Sequence, residues 1–184
     1  ATNDFNGATQ EGVGYLELMI RDGIRSSTSD AFLQPIRHRS NLTIQTGALV
    51  EKIFIEKKEV KGVKVRIHGE SHDISTREIV LSAGAINSPQ LLMLSGIGEP
   101  EQLQHLGIRV EHALPGVGNN LQDHPYAHCL VNVSDDFSVN STIASPWRML
   151  PHVLRYLLTR RGLLNSAAAQ VGLFTNSGLH ASQI

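Results

Sequence analysis

The chain has 184 residues, a formal net charge of −1, 41% hydrophobic residues and 18% charged residues. This length suits one domain with a core or parts of two, and the near-neutral charge gives no basis for a nucleic-acid partner. No apolar run reaches membrane-spanning length, and Cys129 is the only cysteine, so an intramolecular disulfide is excluded. Because Ala1–Gly12 lacks the basic start and apolar centre of a signal peptide, we expect a globular, cytoplasmic chain.

The first forty residues predict a strand, a turn and a helix. After a Gly-rich loop, apolar and polar residues alternate over residues 14–21, which indicates a half-buried strand. Asp22-Gly23 then predicts a turn. Residues 26–39 predict a helix that begins in a Ser/Thr cluster and is broken or restarted at Pro35.

The segment from Asn41 to Gly84 is rich in strand patterns. Apolar runs or alternations predict four strands, at residues 42–46, 49–55, 60–68 and 78–82. Charged residues between the second and third strands, Lys57-Lys58-Glu59, indicate a solvated hairpin tip rather than a binding patch.

A strand, a small-residue turn and a short helix come next. Ile79–Leu81 predict a buried strand, and Ser82–Ala85 form the turn. Ser88 is the candidate helix N-cap with Pro89 at the first helical position, and Gly96 lies where a left-handed C-cap is usual. Such a turn lets a ligand's phosphates approach backbone N–H groups at a helix N-terminus, but any tight strand-to-helix turn also favours small residues. The spacing alone leaves both interpretations open.

A second short helix is predicted at Pro100–Leu106 and should end at Gly107. Residues 108–114 are predicted to be extended, and Pro115–Gly118 indicate a turn. The composition places a boundary between two parts of the chain near Pro125.

The C-terminal part predicts a strand, a loop, a helix and a strand. Residues 127–133 alternate as a strand, and residues 134–146 are polar. A helical spacing relates Trp147, Leu150, Leu154, Leu157, Leu158 and Arg161, and Gly162 closes the helix. We expect the apolar stripe to lie in a core. Residues 171–175 predict the last strand.

The residues around position 125 raise the question of a metal site. Asp123, His124, His128 and Cys129 are all possible ligands. In a strand, however, His124 and His128 would share a face but lie about 13 Å apart, which is too far for one coordination shell. We therefore predict no metal site.

The sequence also lacks two familiar catalytic fingerprints. GxG triplets begin at Gly12, Gly96 and Gly116, but none continues as GxGxxG between a strand and a helix. A GxSxG element is absent around Ser82, because Val80 occupies the position of its first glycine. The usual entry to serine-hydrolase chemistry is therefore excluded.

Four segments together resemble one enzyme family. GAINSPQLLMLSGIG, residues 84–98, resembles the second characteristic motif of the glucose–methanol–choline (GMC) flavoprotein oxidoreductases. LPGVGNNLQDH, residues 114–124, resembles the GVGxNLxDH segment of that family. Residues 4–14 resemble its NGxxQxGxG segment, and residues 41–53 resemble its NLxVxTxAxVxRI strand pair. The four segments follow the family's order, and the resemblance is strongest over residues 77–126.

This resemblance implies an α+β fold, made of a section of a GMC-type FAD-binding domain and part of a β-sheet substrate domain. Members carry a GxGxxG fingerprint near the N-terminus and a catalytic histidine near the C-terminus, and neither region occurs in these residues. We therefore expect an internal section of a longer enzyme, without a catalytic acid or base. Residues 1–25 and 126–184 are expected in the substrate domain, where they should contact each other, and residues 26–125 in the FAD-binding domain.

The resemblance also implies particular cofactor contacts. The strand that contains Val50 passes the adenine of FAD, which Val50 contacts through its backbone. The turn at Ala83 and Gly84 lies close to the adenosine end, in agreement with its small side chains. Asp123 and His124 lie where the family crosses from the flavin domain to the substrate domain, and they either support the flavin site or cap the turn.

The segment of the last predicted strand provides evidence on the type of substrate. QVGLF, which starts at Gln170, resembles a strand whose first residue is a glutamate in choline-oxidising members. A quaternary ammonium group is held by an opposite charge or by aromatic rings. Gln170 is neutral, and no aromatic residue lies within three positions of it. We therefore predict Gln170 as a substrate residue and expect choline to be disfavoured.

The implied reaction is oxidation of a CH–OH group of a small alcohol, with hydride transfer to FAD and an unidentified electron acceptor. Since the pyrophosphate-binding loop and the catalytic base are not among these residues, we expect the chain alone to retain little or no FAD and to be inactive. A non-catalytic binding or interaction domain derived from the family fits the missing ends equally well. Lyase chemistry on the same scaffold is a third, more remote hypothesis.

Overall fold

The computed structural model describes residues 4–129, 131, 139–166, 169–176 and 178. Strands and helices alternate irregularly along these residues, so the mixed α+β class predicted from the sequence is confirmed. The chain divides into two compact units, of which one contains Ala1–Leu42 and Cys129–Ile184 and the other contains Thr43–His128.

In chain order the elements are β1 (Gly12–Tyr15), β2 (Ile20–Arg21), β3 (Ile24–Arg25), β4 (Ala48–Glu56), β5 (Glu59–Ile67), β6 (Glu70–Ser75), α1 (Gly84–Leu94), β7 (Ile97–Gly98), α2 (Pro100–His105), β8 (His112–Ala113), α3 (Val139–Ile143), α4 (Pro146–Thr159) and β9 (Val171–Phe174). A π-helical turn lies at Ser29–Leu33, and 3-10 turns lie at Gln34–Ile36 and Leu163–Asn165.

The first unit joins residues from both ends of the chain. Strands β1 and β9 pair antiparallel, from Gly12 opposite Phe174 to Tyr15 opposite Val171. The rings of Phe5 and Phe174 lie 5.0 Å apart, which extends this contact beyond the backbone. The expectation that the two flanks contact each other is therefore confirmed, and residues 26–42 belong to the same unit.

The strand predicted over residues 14–21 is wrong as one element. Strand β1 pairs with β9, whereas β2 pairs with β3 through the turn at Asp22-Gly23, whose φ angles are 53° and 74°. Between them, the N–H of Ile20 donates to the carbonyl of Leu18 at 2.8 Å. This three-residue turn redirects the chain, so the two halves of the alternating pattern have different partners.

The helix predicted over residues 26–39 is also wrong as one element. It is replaced by the π-helical turn and the 3-10 turn, which contains Pro35. Proline has no N–H and its ring clashes with the carbonyl of the preceding turn, which explains the interruption. The Ser/Thr start is confirmed, because Ser27 and Asp30 exchange hydrogen bonds as a capping box.

Helix α4 ends earlier and is more exposed than its sequence predicts. It ends at Thr159, and Arg160 rather than Gly162 is the left-handed residue after it, with φ of 57°. The turn at Gly23 lies close to this helix end, since a Cβ at Gly23 would lie 2.0 Å from the carbonyl oxygen of Arg160. The apolar stripe is not in a core of the described residues, since Trp147 and Leu158 are each 83% exposed.

The strand predicted over residues 127–133 does not form in the part of this segment that the structure describes. Residues 127–129 and 131 form no strand, and residues 130, 132 and 133 lie outside the described residues. A loop was predicted over residues 134–146. Its first part, up to residue 138, lies outside the described residues, and its remainder contains α3 and the start of α4. The final strand is confirmed as β9.

The second unit is built on the three-stranded antiparallel sheet β4-β5-β6. The predicted hairpin tip is confirmed, because Lys57 and Lys58 form the turn with φ angles of 50° and 68°. Strand β6 was not predicted, because its residues are exposed and all but Ile74 are polar, so they give no apolar alternation. The predicted strands at 42–46 and 78–82 do not form, since neither segment has a hydrogen-bonded neighbour strand among the described residues.

Helix α1 packs on β4 and forms the core of this unit. The buried apolar side chains are Ile53, Val65, Leu91 and Leu103, and Ser95 is the buried polar residue. The helix begins at Gly84, so placing its start at Ser88 and Pro89 is wrong.

Ser88 acts from inside the helix instead, because its hydroxyl oxygen accepts the N–H of Ala83 at 3.1 Å. Pro89 lies within α1, where its missing N–H leaves one carbonyl of the preceding turn without a helical partner.

The predicted helix ends in this unit are confirmed. Gly96 has φ of +88°, and its N–H donates to the carbonyl of Met93 at 3.0 Å. Helix α2 ends at His105, and Gly107 follows with φ of +71°. Strands β7 and β8 then pair in parallel.

Candidate functional site

A cavity of about 730 Å³ lies beside the first half of β4 in the second unit. Four parts of this unit line it: the start of β4, Arg66 of β5, residues 80–83 before α1, and one side of α1. The lining residues are Ala48, Leu49, Val50, Glu51, Arg66, Val80, Leu81, Ser82, Ala83, Asn87, Gln90, Leu91 and Leu94. We call this space the β4 cavity.

The strand edge explains where the β4 cavity opens. Strand β4 is an edge strand of its sheet, so its outer side offers backbone groups without a strand partner. At Ile53 the outer side is closed, because the Ile53 N–H donates to the Ser95 hydroxyl oxygen at 2.8 Å. The edge is therefore available to a ligand along residues 48–51, which include Val50.

The turn before α1 provides a second backbone surface. Ala83 lines the cavity and immediately precedes the helix. Gly84 has φ of +90°, and a Cβ placed there would meet no heavy atom within 4 Å. The backbone at the start of the helix is thus uncovered, so a ligand can approach it closely.

The charged groups at the β4 cavity lie at a break in the strand pairing. The register shifts between Val50 and Lys52, which places Glu51 at a β-bulge. Arg66 Nε lies 3.2 Å from Glu51 Oε1, and the Ser71 hydroxyl donates to Glu51 Oε2 at 3.3 Å. Bulges commonly re-aim a side chain beside a functional site, which fits the position of Glu51.

A smaller cavity of about 480 Å³ lies between α1 and residues 118–122. Its polar lining is mostly amide, from Gln90, Asn119, Asn120 and Gln122. Asn119 donates from its side chain to the carbonyl of Pro115 at 2.6 Å, which fixes the turn on which these amides are carried.

Asp123 and His124 lie just beyond this smaller cavity and line neither it nor the β4 cavity. Both residues are exposed, and the carboxylate of Asp123 accepts the backbone N–H of His124 at 2.8 Å. This contact lies within the pair itself, and both predicted roles, capping a turn and supporting the flavin site, stay predictions.

Comparisons with known proteins agree on one family. The family model described as GMC oxidoreductase matches residues 1–126. The chain is 41% identical to the oxygen-dependent choline dehydrogenase of Staphylococcus xylosus over 181 residues, which cover 96% of this chain and 31% of that protein. It is 48% identical to the mitochondrial choline dehydrogenase of Homo sapiens over 124 residues, 67% of this chain and 21% of that protein.

The chain belongs to the GMC oxidoreductase family. An FAD-dependent oxidoreductase from Chaetomium thermophilum has a similar fold, with a TM-score of 0.77 and 27% identity over 87% of this chain and 29% of that one. The chain therefore spans less than a third of the length of the relatives it matches.

FAD is the cofactor of this GMC oxidoreductase family, and the β4 cavity fits part of it. An adenosine moiety is flat at the base and polar at its edges, and it requires a narrow space with backbone hydrogen-bonding groups. The cavity supplies the unpaired strand edge at Val50 on one side and the turn residue Ala83 on the other, whereas Gly84 is not among its lining residues. Val50 and Ala83 would hold the adenosine end, with Gly84 beside them.

Gln170 lies in the other unit, immediately before β9. Its backbone carbonyl accepts the N–H of Leu16 at 2.8 Å, and its side-chain amide contacts the Ser166 hydroxyl. Tyr15 faces Val171 across the strand pair, so β1 brings an aromatic residue close to Gln170 that inspection of the local sequence could not show.

The sequence did not identify every residue that lines the β4 cavity. Glu51 and Arg66 were missed, because a β-bulge leaves no mark in an apolar alternation. Asn87 and Gln90 were missed as well. Their spacing of three residues on a helix was the available signal, since it places both side chains on one face.

The described residues support neither a metal site nor a membrane-spanning helix. Within that part of the chain, no group of three or more His, Cys, Asp or Glu side chains could hold a metal ion. Nor does any helix there have the length and apolar character needed to cross a bilayer.

Proposed function

We propose that this chain is an internal section of an FAD-dependent alcohol oxidoreductase, and that its β4 cavity binds the adenosine end of the cofactor. One observation carries the proposal: the edge of β4 at Val50 and the turn at Ala83 line the same cavity, although they are 33 positions apart in the sequence. Both had been expected at the adenosine end from the family resemblance alone.

The chain's own residues contribute binding and orientation. The edge of β4 offers backbone donors and acceptors to the adenine ring, and the small side chain of Ala83 leaves room for that ring to lie flat. When bound, the flavin supplies the redox chemistry, which is acceptance of a hydride from the CH–OH carbon of the alcohol. A catalytic general base must remove the proton of the substrate hydroxyl, and we expect that group outside these residues.

Gln170 supports a neutral alcohol as substrate. Its amide offers one acceptor and two donors, which suit hydroxyl or carbonyl groups. The relatives named as choline dehydrogenases favour choline as the competing candidate. The side chain of Gln170 lacks the negative charge that would attract a quaternary ammonium group, which favours the neutral alcohol.

The test uses the full-length protein that contains this section. Under anaerobic conditions, each of a panel of aliphatic, aromatic and sugar alcohols, and choline, is mixed with the flavin-loaded protein, and loss of the oxidised flavin absorbance is followed. We expect bleaching by at least one neutral alcohol, faster than by choline. A flavin that no alcohol bleaches would support the non-catalytic alternative.

A further inference from the structure

A second large cavity of the second unit, of about 800 Å³, lies beside the tip of the β4–β5 hairpin. It is lined by residues 58–61, at the hairpin tip and the start of β5, and by residues 75–77, at the end of β6 and just after it. We call this space the hairpin cavity. It shares no lining residue with the β4 cavity, so a ligand bound here is independent of the adenosine site.

The side chains that line the hairpin cavity are more basic than acidic. Lys58, Lys61 and Arg77 are its three cations and Glu59 is its one acid, so the lining has a net charge of +2. The Nζ of Lys61 donates a hydrogen bond to Glu59 Oε2 at 2.6 Å, so these two charges largely cancel. Lys58 and Arg77 form no ion pair with any described residue. These two cations are therefore available to an anion in the cavity.

Backbone pairing holds Arg77 beside β5. The N–H of Thr76 donates to the carbonyl of Lys61 at 3.1 Å, which extends the pairing of β5 with β6 by one residue. The Thr76 hydroxyl donates to the carbonyl of Glu78 at 2.9 Å and so restrains the backbone on both sides of Arg77. The sequence alone gave no sign of this arrangement, because β6 was not predicted.

Lys58 has a backbone conformation that lysine rarely adopts. Lys57 and Lys58 form the two-residue turn of the hairpin with φ angles of 50° and 68°. Asn and Gly are favoured in such turns, because they tolerate a positive φ. Disfavoured backbone conformations are concentrated at functional sites. Of the two lysines, Lys58 is the one that lines the cavity.

We propose that the hairpin cavity binds a phosphate monoester, whose dianionic phosphate is held by Lys58 and Arg77. A dianion balances the charge of +2 on the lining. The planar guanidinium of Arg77 can donate two parallel hydrogen bonds to phosphate oxygens, and Lys58 adds a compact charge. The cavity is larger than a phosphate group alone requires, and the half-buried Val60 gives apolar surface to the organic part of the ester.

The test is a titration of the isotope-labelled 184-residue chain at low ionic strength. The probes are glycerol 3-phosphate, inorganic phosphate, acetate and glycerol, at about pH 7.5, where a phosphate monoester with a second pKa of about 6 is a dianion. Backbone amide shifts at residues 58–61 and 75–77 report binding. We expect glycerol 3-phosphate to bind most tightly, acetate weakly and glycerol not at all. Added salt should weaken the binding, because the cations are exposed.

The hairpin turn offers a matched pair of variants. Lys58→Gly removes a cation from the cavity and suits the left-handed conformation, so the fold is retained while binding of glycerol 3-phosphate should weaken roughly two- to fivefold. Lys57→Gly removes the same charge at the adjacent left-handed position outside the cavity and should keep the wild-type affinity. Arg77→Gln should weaken binding by a similar factor. Glu59→Gln should strengthen binding, because it removes the acid and releases Lys61.

Three results would overturn the proposal. If glycerol 3-phosphate shifts none of these amides, the site does not exist. If Lys57→Gly weakens binding as much as Lys58→Gly does, the phosphate is attracted only by the overall charge of the hairpin tip. If inorganic phosphate binds as tightly as glycerol 3-phosphate, the organic part contributes nothing and a phosphate monoester is the wrong ligand.

Discussion

The hydroxyl of Ser95 accepts the backbone N–H of Ile53 at 2.8 Å and donates to the carbonyl of Leu91 at 2.6 Å. The three groups lie where α1 meets β4, and Ser95 is only 1% exposed. One side chain thus joins the end of the helix to the edge of the strand. It also determines where the free edge of β4 begins, and hence where the β4 cavity lies.

We predict that Ser95→Ala lowers the free energy of unfolding by about 1–3 kcal/mol, because it leaves the Ile53 N–H buried without a partner. The measurement is urea-induced unfolding followed by circular dichroism. The control is Ser75→Ala, an exposed serine at the end of β6, which should change stability by less than about 0.5 kcal/mol. Equal effects of the two substitutions would contradict a buried role for Ser95.

Gly96→Ala should also destabilise the second unit. At φ of +88° an L-residue costs about 1–2 kcal/mol, and the new Cβ would lie 2.4 Å from the carbonyl oxygen of Arg109. Thermal unfolding should show a lower melting temperature. Gly116→Ala is the matched control, since a Cβ there meets nothing within 4 Å and its φ is not in the left-handed region. A Gly96→Ala chain as stable as Gly116→Ala would contradict the close approach.

Stability should depend on pH through Asp30. The hydrogen bond from the Ser27 hydroxyl, followed by that from the Ser27 N–H, holds the pKa of Asp30 below its ordinary value of 3.8. With a depressed folded pKa, the stabilisation is present above pH 3.8 and is lost as the pH falls through the folded value.

Ser27→Ala removes the hydroxyl donor to Asp30 and should reduce stability at neutral pH by a small amount, since the carboxylate is exposed. In acid the difference from wild type should shrink to the part that comes from the Ser27 hydroxyl oxygen accepting the Asp30 N–H, which does not depend on the charge of the carboxylate. Urea unfolding over a series of pH values measures it. A difference that persists unchanged well below pH 3.8 would show that Asp30 is not its source.

Elements set by local chemistry could be predicted from the sequence. The left-handed glycines after α1 and α2 and the hairpin tip at Lys57-Lys58 were found. Each depends on a few adjacent residues, such as a helix end that requires a positive φ.

Elements set by distant partners could not be predicted. Strand β6 is polar except for Ile74, and it forms by pairing with β5. Arg160 follows α4 in a left-handed conformation and packs against the turn at Gly23, 137 positions away in the sequence. A pattern of nearby residues contains no information about either contact.

The candidate site likewise contains residues that could be predicted from the sequence and residues that could not. Val50 and Ala83 were selected from the family resemblance, and they line one cavity. A contact made by backbone atoms requires no particular side chain, so elementary chemistry alone could not have chosen Val50. Glu51 was missed because the bulge that directs it depends on the pairing of β4 with β5.

Gln170→Glu should raise the preference for choline in the full-length protein. A nearby carboxylate adds a charge interaction of about 1–4 kcal/mol with a trimethylammonium group at partly solvated distances, which corresponds to about one to three decades in affinity. Steady-state comparison of choline with neutral alcohols tests this. A wild type that prefers choline to every neutral alcohol would refute the role of Gln170, as would a substitution that leaves choline specificity unchanged.

The central claim, that the β4 cavity holds the adenosine end of FAD, is tested most directly by filling the cavity. Ala83 is exposed, lines the cavity and has a φ of −85°, so Ala83→Leu adds bulk to the cavity without straining the backbone. Ala113→Leu, at an exposed position of β8 outside the cavity, is the control. The ratio of flavin to protein absorbance is measured for each purified full-length variant. We predict that Ala83→Leu loses most of its bound FAD while Ala113→Leu retains its FAD. Equal FAD content in both variants would contradict binding of the adenosine end in the β4 cavity.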